Sequence, residues 1–263
     1  MTTAILDPRT FSPRSRDAAP DMIPGLLLWY DARTINLSTD DPMVTWVDSS
    51  GNGNTATLGT APLYRAADLN SGPAVQANGT TQFMISGQTA RTTGTLVCVF
   101  AGTGNTDVLF GTQTASPDKR CYIAISIGGT LAGGVGSESL TTILGDIPVN
   151  DGNPHIGIMS YDGFTVKLDL DGGSEYAAAQ GGGAAQNTLP YYTHGVNKDS
   201  SLNNPFAGDI GQIMAYDRAL TGDEKVSLFL YLGAIYGFGF QIMYDRFGIP
   251  MTDRDGTRII TRT

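Results

Sequence analysis

The polar loop Asp48–Asn54, with the sequence Asp-Ser-Ser-Gly-Asn-Gly-Asn, carries the residue types in this chain that are most suited to chemistry. Its side-chain oxygens recur at alternate positions, a pattern that superficially resembles a calcium-binding loop. An EF-hand loop also needs a bidentate acid at its twelfth position, which is Gly59 here, so that motif is excluded. Turn chemistry is the competing explanation, because Asn and Gly tolerate the positive φ that tight turns require.

The carboxylates do not form a recognisable catalytic pair. Asp169 and Asp171 stand two residues apart in the segment 167–172, whereas retaining glycosidases need two carboxyl groups about 5 Å apart. The segment has no glutamate to act as the acid, and its Asp-Gly end is typical of a strand that runs into a turn. The chain contains neither G-x-S-x-G nor H-E-x-x-H. The sequence therefore predicts a protein that is not an enzyme.

The histidines and cysteines are predicted to be structural. His155 precedes a strand and His194 lies in a loop, so we expect surface or turn histidines rather than a catalytic base. Cys98 and Cys121 each fall within an alternating apolar strand and lack a C-x-x-C spacing, which argues against a zinc site. We interpret them as buried thiols that pack as small hydrophobic groups. A disulfide between neighbouring strands is the alternative.

Composition and charge narrow the class of protein. The 263-residue chain holds 34 glycines and 13 prolines, which is typical of many short strands joined by tight turns. Its apolar fraction of 41% suffices for a sandwich core, and its net charge of −9 argues against binding to nucleic acid or an anionic membrane. No apolar run reaches the roughly 18 residues of a membrane-spanning segment, so we expect no membrane insertion.

Short strands at regular spacing dominate the middle of the chain. The pattern predicts strands at 95–100, 107–111, 121–127 and 131–136. The clearest hairpin joins His155–Tyr161 to Phe164–Asp171 through Asp162-Gly163. One face of its second strand is predicted to carry Phe164, Val166, Leu168 and Leu170.

The segment 209–237 predicts a strand followed by a capped helix. The strand is predicted to place Ile210, Gln212, Met214 and Tyr216 on one face. Thr221 and Glu224 have the spacing of a capping box, and Gly237 stands where a left-handed C-cap is expected. The side of the helix predicted to be buried carries Val226, Phe229, Leu230 and Leu232.

Three motifs occur in a fixed order along the chain. They are PGLLLWYDA at 24–32, VTWVDSSGNGN at 44–54 and FAGDIGQIMAYDRALTGDE at 206–224. Together they resemble LamG-like jelly-roll domains, the concanavalin A-like lectin/glucanase architecture. This resemblance implies an all-β jelly-roll sandwich of two antiparallel sheets with one short C-terminal α-helix.

The resemblance also implies candidate binding residues. Some members of the laminin-G-like group bind calcium at the sandwich rim, and the positions that would do so here are Asp48, Asn52 and Asn54. Lectin-type sandwiches hold sugars with exposed aromatic side chains and loop amides. The corresponding carbohydrate-binding candidates are Tyr191, Tyr192 and Asn197, with simple packing as the alternative. Glycosidases of this fold carry a carboxylate motif, E-x-D-x-x-E, that is absent here.

The domain organisation predicts assembly segments at both ends. Residues 1–24 form an N-terminal arm rich in proline, residues 25–237 the jelly-roll domain, and residues 238–263 a C-terminal β extension for assembly. Similar domains occur in bacteriophage particles, where they present a surface to host glycans. We therefore expect a non-enzymatic structural or adhesive virion protein of a tail, fibre or head decoration, made in the host cytoplasm.

The partners of such a protein would be other virion proteins, contacted through the two terminal segments. The chain would form a homo-oligomer, with a trimer inferred only by analogy with fibres. The N-terminal segment has no apolar stretch typical of a secretory signal, which favours the virion setting. A stand-alone carbohydrate-binding module of a bacterial surface protein is the alternative, and a polysaccharide-active enzyme is a further one.

Overall fold

The computed structural model describes residues 19–58, 60–82, 84–87, 93–105, 107–112, 120–136, 140–173, 175–179, 191–194, 206–243, 251–252 and 259–262. Within these ranges the chain forms eighteen strands and one α-helix, α1 (Gly222–Tyr236). The strands are β1 (Leu26–Asp31), β2 (Thr45–Trp46), β3 (Ala56–Leu58), β4 (Leu63–Leu69), β5 (Gly72–Asn78), β6 (Met84–Gly87), β7 (Gly94–Gly102), β8 (Val108–Thr112), β9 (Arg120–Ile125), β10 (Thr130–Gly136), β11 (Leu140–Pro148), β12 (His155–Tyr161), β13 (Thr165–Leu170), β14 (Glu175–Ala179), β15 (Tyr191–His194), β16 (Ala207–Tyr216), β17 (Phe240–Ile242) and β18 (Ile260–Arg262).

Two antiparallel sheets make the sandwich. Sheet 1 has the order β14-β13-β12-β7-β16-β5-β4, and β1 pairs with the second half of β16 beside β5. Sheet 2 has the order β11-β10-β9-β8-β15-β6-β3-β2. Strands β17 and β18 pair with each other as a separate two-stranded sheet in the tail. The predicted jelly-roll sandwich of two antiparallel sheets with one helix is confirmed.

The main core lies between the two sheets. Alternation in β13 directs Val166, Leu168 and Leu170 into this core, as the sequence predicts. Phe164 was predicted to share that face, and this is wrong. It lies in the turn before β13 and is 81% exposed, because Asp162 accepts hydrogen bonds from the backbone N–H groups of Phe164 and Thr165 and holds the turn tight.

A second core lies between α1 and the outer face of sheet 1. Strands β7 and β12 are buried on both faces, which explains their almost continuous apolar sequences. The predicted capping box is present: Thr221 Oγ1 accepts from the Glu224 N–H while the Glu224 carboxylate accepts from the Thr221 N–H. Gly237 ends the helix with a φ of 70°. On its buried side Leu228 takes the place predicted for Leu230.

A bulge in β16 overturns one face prediction. The register of β16 against β7 shifts between Ile210 and Gln212, so the extra residue Gly211 moves Ile210 to the opposite face. Ile210 lies in the core between the sheets, whereas Met214 belongs to the core under α1. Glycine is required at the bulge because a Cβ there would come within 2.5 Å of the Tyr236 hydroxyl.

Both predicted terminal segments contribute to the second core where the structure describes them. Ile23 belongs to that core, and the Pro20 carbonyl accepts a hydrogen bond from the Tyr216 hydroxyl at 3.2 Å. In the tail, Phe238 is 1% exposed and Phe240 packs edge-on against Phe229. Residues 1–18, 244–250, 253–258 and 263 lie outside the described ranges. The assembly roles assigned to the two ends stay predictions.

No helix in the described part of the chain is long and apolar enough to cross a membrane.

Candidate functional site

The polar loop after β2 is held together by Asp48. Its carboxylate, 8% exposed, accepts from the Trp29 N–H at 3.0 Å, from the Ser50 N–H and hydroxyl at 2.9 and 2.8 Å, and from the Asn54 N–H at 2.9 Å. Gly51 and Gly53 adopt positive φ values of 82° and 76° and allow the chain to wrap around it. Asp48 therefore joins this loop to strand β1.

The two asparagines of the loop direct their amide nitrogens inward. Asn52 Nδ2 donates to the carbonyls of Leu26 and Leu27 at 2.9 and 3.1 Å, and Asn54 Nδ2 donates to the Leu27 carbonyl at 2.8 Å. A calcium ion needs six to eight oxygen ligands, and this loop brings one carboxylate that already accepts hydrogen bonds on both oxygens. The donor set does not fit a calcium site in this conformation. Calcium binding by Asp48, Asn52 and Asn54 stays a prediction.

The predicted sugar-binding tyrosines lie in sheet 2. Tyr191 and Tyr192 open strand β15, which pairs with β8 on one side and β6 on the other. Asn197 lies outside the described residues. The structure thus puts the backbone of the tyrosine pair into a central strand of sheet 2. Helix α1 does not cover this sheet, since the strand residues packed under α1 come from sheet 1.

A third tyrosine, Tyr122, crosses the outer face of sheet 2. Its strand partners on the two sides are Gly111 of β8 and Gly134 of β10. A Cβ on Gly134 would lie 2.4 Å from Tyr122 Cε1 and 2.7 Å from its hydroxyl, so the ring passes directly over this glycine. The hydroxyl continues to Thr142 of β11, where it forms a hydrogen bond of 3.2 Å with Oγ1. The partly exposed ring therefore spans two strands and lies along the sheet.

The strand register extends this arrangement into a row of residues across the sheet. Thr193 of β15 pairs with Gly111, Gly111 with Tyr122, Tyr122 with Gly134, and Gly134 with Thr142. We call these five residues the tyrosine row. Sequence reasoning did not single out Tyr122. The signal that points to it is an aromatic residue at the outward position of a strand whose inward positions are Cys121, Ile123 and Ile125.

The residues considered for catalysis are placed apart. Asp169 accepts from Lys225 Nζ at 2.9 Å, whereas Asp171 contacts His155 Nδ1 at 2.8 Å. Asp171 follows the end of β13 with a φ of 50°, which turns its side chain toward a different partner. The two aspartates therefore do not act on a common point.

His155 was predicted to be a surface or turn histidine, and this is wrong. It is 5% exposed at the start of β12, with Nδ1 facing Asp171 and Nε2 facing Asp151 at 3.1 Å. Burial lowers the pKa of His155, but the two carboxylates outweigh it and the pKa is raised overall. The carboxyl pKa of Asp151 is lowered to about 2 despite burial, because Asn153 and His155 hydrogen-bond to it. The cluster fastens the loop before β12 to the end of β13.

The cysteines are buried thiols that are not joined in a disulfide, as interpreted from the sequence. Cys98 lies in β7 and Cys121 in β9, on opposite sides of the main core. Burial raises the pKa of the Cys121 thiol to about 12 and that of Cys98 further, so neither is suited to act as a nucleophile at neutral pH.

Comparison with known proteins finds no matching family model. No curated protein matches the sequence either. Solved structures do match. One of them is domain 4 of AbnA, an extracellular GH43 arabinanase from Geobacillus stearothermophilus, and this domain was solved in complex with arabinotriose. It has a TM-score of 0.58 at 18% identity, and the match covers 79% of this chain and 98% of that one.

Two further solved structures share the architecture. The CBM40 of Ruminococcus gnavus IT-sialidase bound to alpha2,3 sialyllactose has a TM-score of 0.50 at 15% identity, covering 59% of this chain and 95% of that one. A botulinum neurotoxin type C structure, described as depending on two ganglioside molecules for cell entry, has a TM-score of 0.59 at 11% identity. The match covers 88% of this chain and 55% of that one. At these identities the likeness shows that the chain shares the sandwich fold of these domains.

Proposed function

We propose that this protein is a non-catalytic glycan-binding domain and that a sugar ring stacks on Tyr122 at the outer face of sheet 2. The observation that carries the proposal is the position of the tyrosine ring over Gly134. Because glycine leaves the space above the strand empty, the ring lies along the sheet and presents its other face outward. A flat aromatic face is the surface on which the apolar C–H groups of a sugar pack.

One neighbouring residue of the row, Thr142, suits the hydroxyl groups of a sugar. It is exposed beside the Tyr122 hydroxyl. A threonine hydroxyl both donates and accepts hydrogen bonds, as a sugar hydroxyl does. Tyr191 and Tyr192, the carbohydrate-binding candidates from the sequence, lie in the strand next but one to Tyr122. They remain candidates for a second contact with the glycan.

The solved structures with this fold support the glycan proposal by their ligands, which are arabinotriose and sialyllactose. The absence of a catalytic role is our inference from the separate partners of Asp169 and Asp171. A retaining glycosidase would need two carboxyl groups directed at one glycosidic bond.

The test is a glycan array probed with the intact protein, followed by titration calorimetry with the best binder. Arabinotriose and alpha2,3-sialyllactose serve as the first soluble ligands. We expect Tyr122→Ala to weaken binding by about tenfold or more, since loss of an aromatic stacking partner costs on the order of 1 kcal/mol or more. Tyr122→Phe keeps the ring and should retain most of the affinity.

A matched control is Phe164→Ala, because Phe164 is an exposed aromatic residue in a turn between two strands of sheet 1. It should leave binding unchanged. Equal affinity of the wild-type protein and Tyr122→Ala for every array ligand would contradict the proposed site. An array without any binder above background would contradict the function itself.

The setting we propose for this binding is the surface of a bacteriophage particle, with a bacterial surface protein as the alternative. The support for the virion setting is the resemblance of the three sequence motifs to domains found in phage particles. Light-scattering mass of the intact chain tests the oligomer that such a setting requires. A concentration-independent monomer would favour the stand-alone binding module.

A further inference from the structure

A cleft of about 860 Å³ lies on the other side of the molecule, between the first turns of α1, the outer face of β12–β14 and the tail strand β18. Ligand pockets commonly have volumes of about 300–1,000 Å³. This cleft lies against sheet 1, whereas Tyr122 lies on sheet 2. Its features therefore stand independently of the tyrosine row.

One wall of the cleft is a chain of ion pairs. Asp169 of β13 and Glu175 of β14 are direct cross-strand partners, an arrangement in which two like charges repel. Lys225 of α1 bridges them, with Nζ at 2.9 Å from Asp169 Oδ2 and 2.7 Å from Glu175 Oε2. Lys167 adds a contact of 2.8 Å to Glu175 Oε1. The Lys225 side chain is only 6% exposed, so its position is fixed by these partners.

Another part of the lining is apolar. It consists of the partly exposed Ile260 of the tail and the edges of Val226 and Phe229 of α1, which are 6% and 3% exposed. A Cβ on Gly172 would lie 2.5 Å from Ile260 Cδ1, so the tail strand packs closely against the end of β13. The cleft thus joins a charged, hydrogen-bonding wall to an apolar part of the lining that can pack against C–H groups.

The charges that line the cleft are unequal. Carboxylates are contributed by Asp162, Asp169, Glu175 and Asp223, and ammonium groups by Lys167 and Lys225. The excess of carboxylates disfavours anionic ligands and favours a cation or a donor of many hydrogen bonds. An amino sugar supplies both, because its ammonium and hydroxyl groups donate while its ring carbons pack against the apolar part of the lining.

We propose that this cleft is a second binding site, specific for oligosaccharides that carry free amino groups. In such a complex the ammonium group lies near Asp169 and Glu175. It and Lys225 together neutralise these two adjacent carboxylates. The sugar ring lies against Val226 and Ile260. The preference for a positively charged glycan distinguishes this site from the tyrosine row, which carries no ionised side chain.

The test is calorimetric titration of the intact protein with the glucosamine trisaccharide at mildly acidic pH, where its amines are charged. N-acetylglucosamine trisaccharide, trigalacturonate and spermidine serve as comparison ligands. We expect the glucosamine trisaccharide to bind best, and Glu175→Gln to weaken it by about tenfold, since a hydrogen bond between charged groups is lost.

A second variant tests the location without disturbing the ion pairs. Gly173 lines the cleft, and a Cβ there would find its nearest atom, the Leu170 carbonyl oxygen, at 3.5 Å. Gly173→Trp should therefore fold and block the cleft. Gly128→Trp is its matched control, because Gly128 lies in the turn after β9 with its nearest atom at 3.7 Å. Melting temperatures of both variants check that they fold.

Binding of the glucosamine trisaccharide that survives Gly173→Trp would overturn the proposal, and so would no binding by the wild-type protein. Equal binding of spermidine would mean that the cleft recognises charge alone, which also contradicts it. Tyr122→Ala separates the two sites, because it should weaken binding at the tyrosine row and leave the affinity for the glucosamine trisaccharide unchanged.

Discussion

Tyr122 and Gly134 are direct partners on neighbouring strands, and the tyrosine ring fills the space where a side chain of residue 134 would stand. On the other side of Tyr122 a Cβ on Gly111 would approach its Cβ to 2.7 Å. The two glycines therefore allow one aromatic ring to lie along the sheet rather than stand upright from it. This relationship is the physical basis of the proposed glycan site.

Gly134→Ala should displace the ring of Tyr122 without removing it. The new Cβ would meet Tyr122 Cε1 at 2.4 Å, which forces the ring away from the sheet and from Thr142. We expect glycan binding to fall by about tenfold, while the free energy of unfolding changes by less than about 1 kcal/mol because the ring is free to move outward. Calorimetry and urea denaturation measure the two effects.

Gly128→Ala is the control for this substitution, since its Cβ would make only an ordinary contact, with Ser126 Oγ at 3.7 Å, in the turn after β9. It should change neither quantity. A Gly134→Ala protein that binds as well as the wild type would show that the orientation of the ring does not matter for recognition.

The His155 cluster predicts a defined pH response. Because the folded-state pKa of His155 lies above its ordinary value of 6.5, the protonated cluster stabilises the fold fully below that value and loses this contribution as the pH rises through the folded pKa. The wild-type protein should therefore lose stability between mildly acidic and mildly alkaline pH. Urea denaturation across this range, compared with His155→Gln, isolates the contribution.

Asp171→Asn tests the cause of the shift. Asn tolerates the φ of 50° at this position, so the turn is kept while the negative charge facing His155 Nδ1 is removed. We expect the pKa of His155, followed by the NMR shifts of its ring, to fall relative to the wild type. An unchanged pKa would assign the raised value to Asp151 alone.

Asp48→Ala should destabilise the protein by about 2–4 kcal/mol. The substitution leaves the partly buried N–H groups of Trp29, Ser50 and Asn54 without their acceptor. If the loop is structural, millimolar calcium should leave the melting temperature of the wild type unchanged. A rise in melting temperature with calcium that Asp48→Ala abolishes would establish the metal site expected from the sequence.

Truncation after Gly237 should destabilise the domain rather than only detach an assembly segment. Phe238 is almost fully buried and Phe240 packs on Phe229, so their removal exposes apolar surface worth about 2–4 kcal/mol. Thermal denaturation of the intact and shortened chains measures the loss. The control substitution Met251→Ala, at a residue that is 38% exposed, should have little effect.

Features encoded in consecutive residues were accessible from the sequence. The alternation of Val166, Leu168 and Leu170 identifies the buried face of β13, and the spacing of Thr221 and Glu224 identifies the start of α1. Both depend on contacts within a few residues, where helix and strand periods determine which side chains are neighbours. The motif resemblance then indicated the overall sandwich.

The contacts of the candidate sites depended on sheet order and register. Tyr122 meets Gly111, Gly134 and Thr142 only because four neighbouring strands pair in one register, and a shift by one residue would turn each side chain to the other face. The bulge at Gly211 shows the same effect, since one extra residue moved Ile210 into the other core. Lys225 likewise meets Asp169 and Glu175 across 50 or more residues of sequence. Such partners are selected by the packing of the whole sandwich, which no local pattern records.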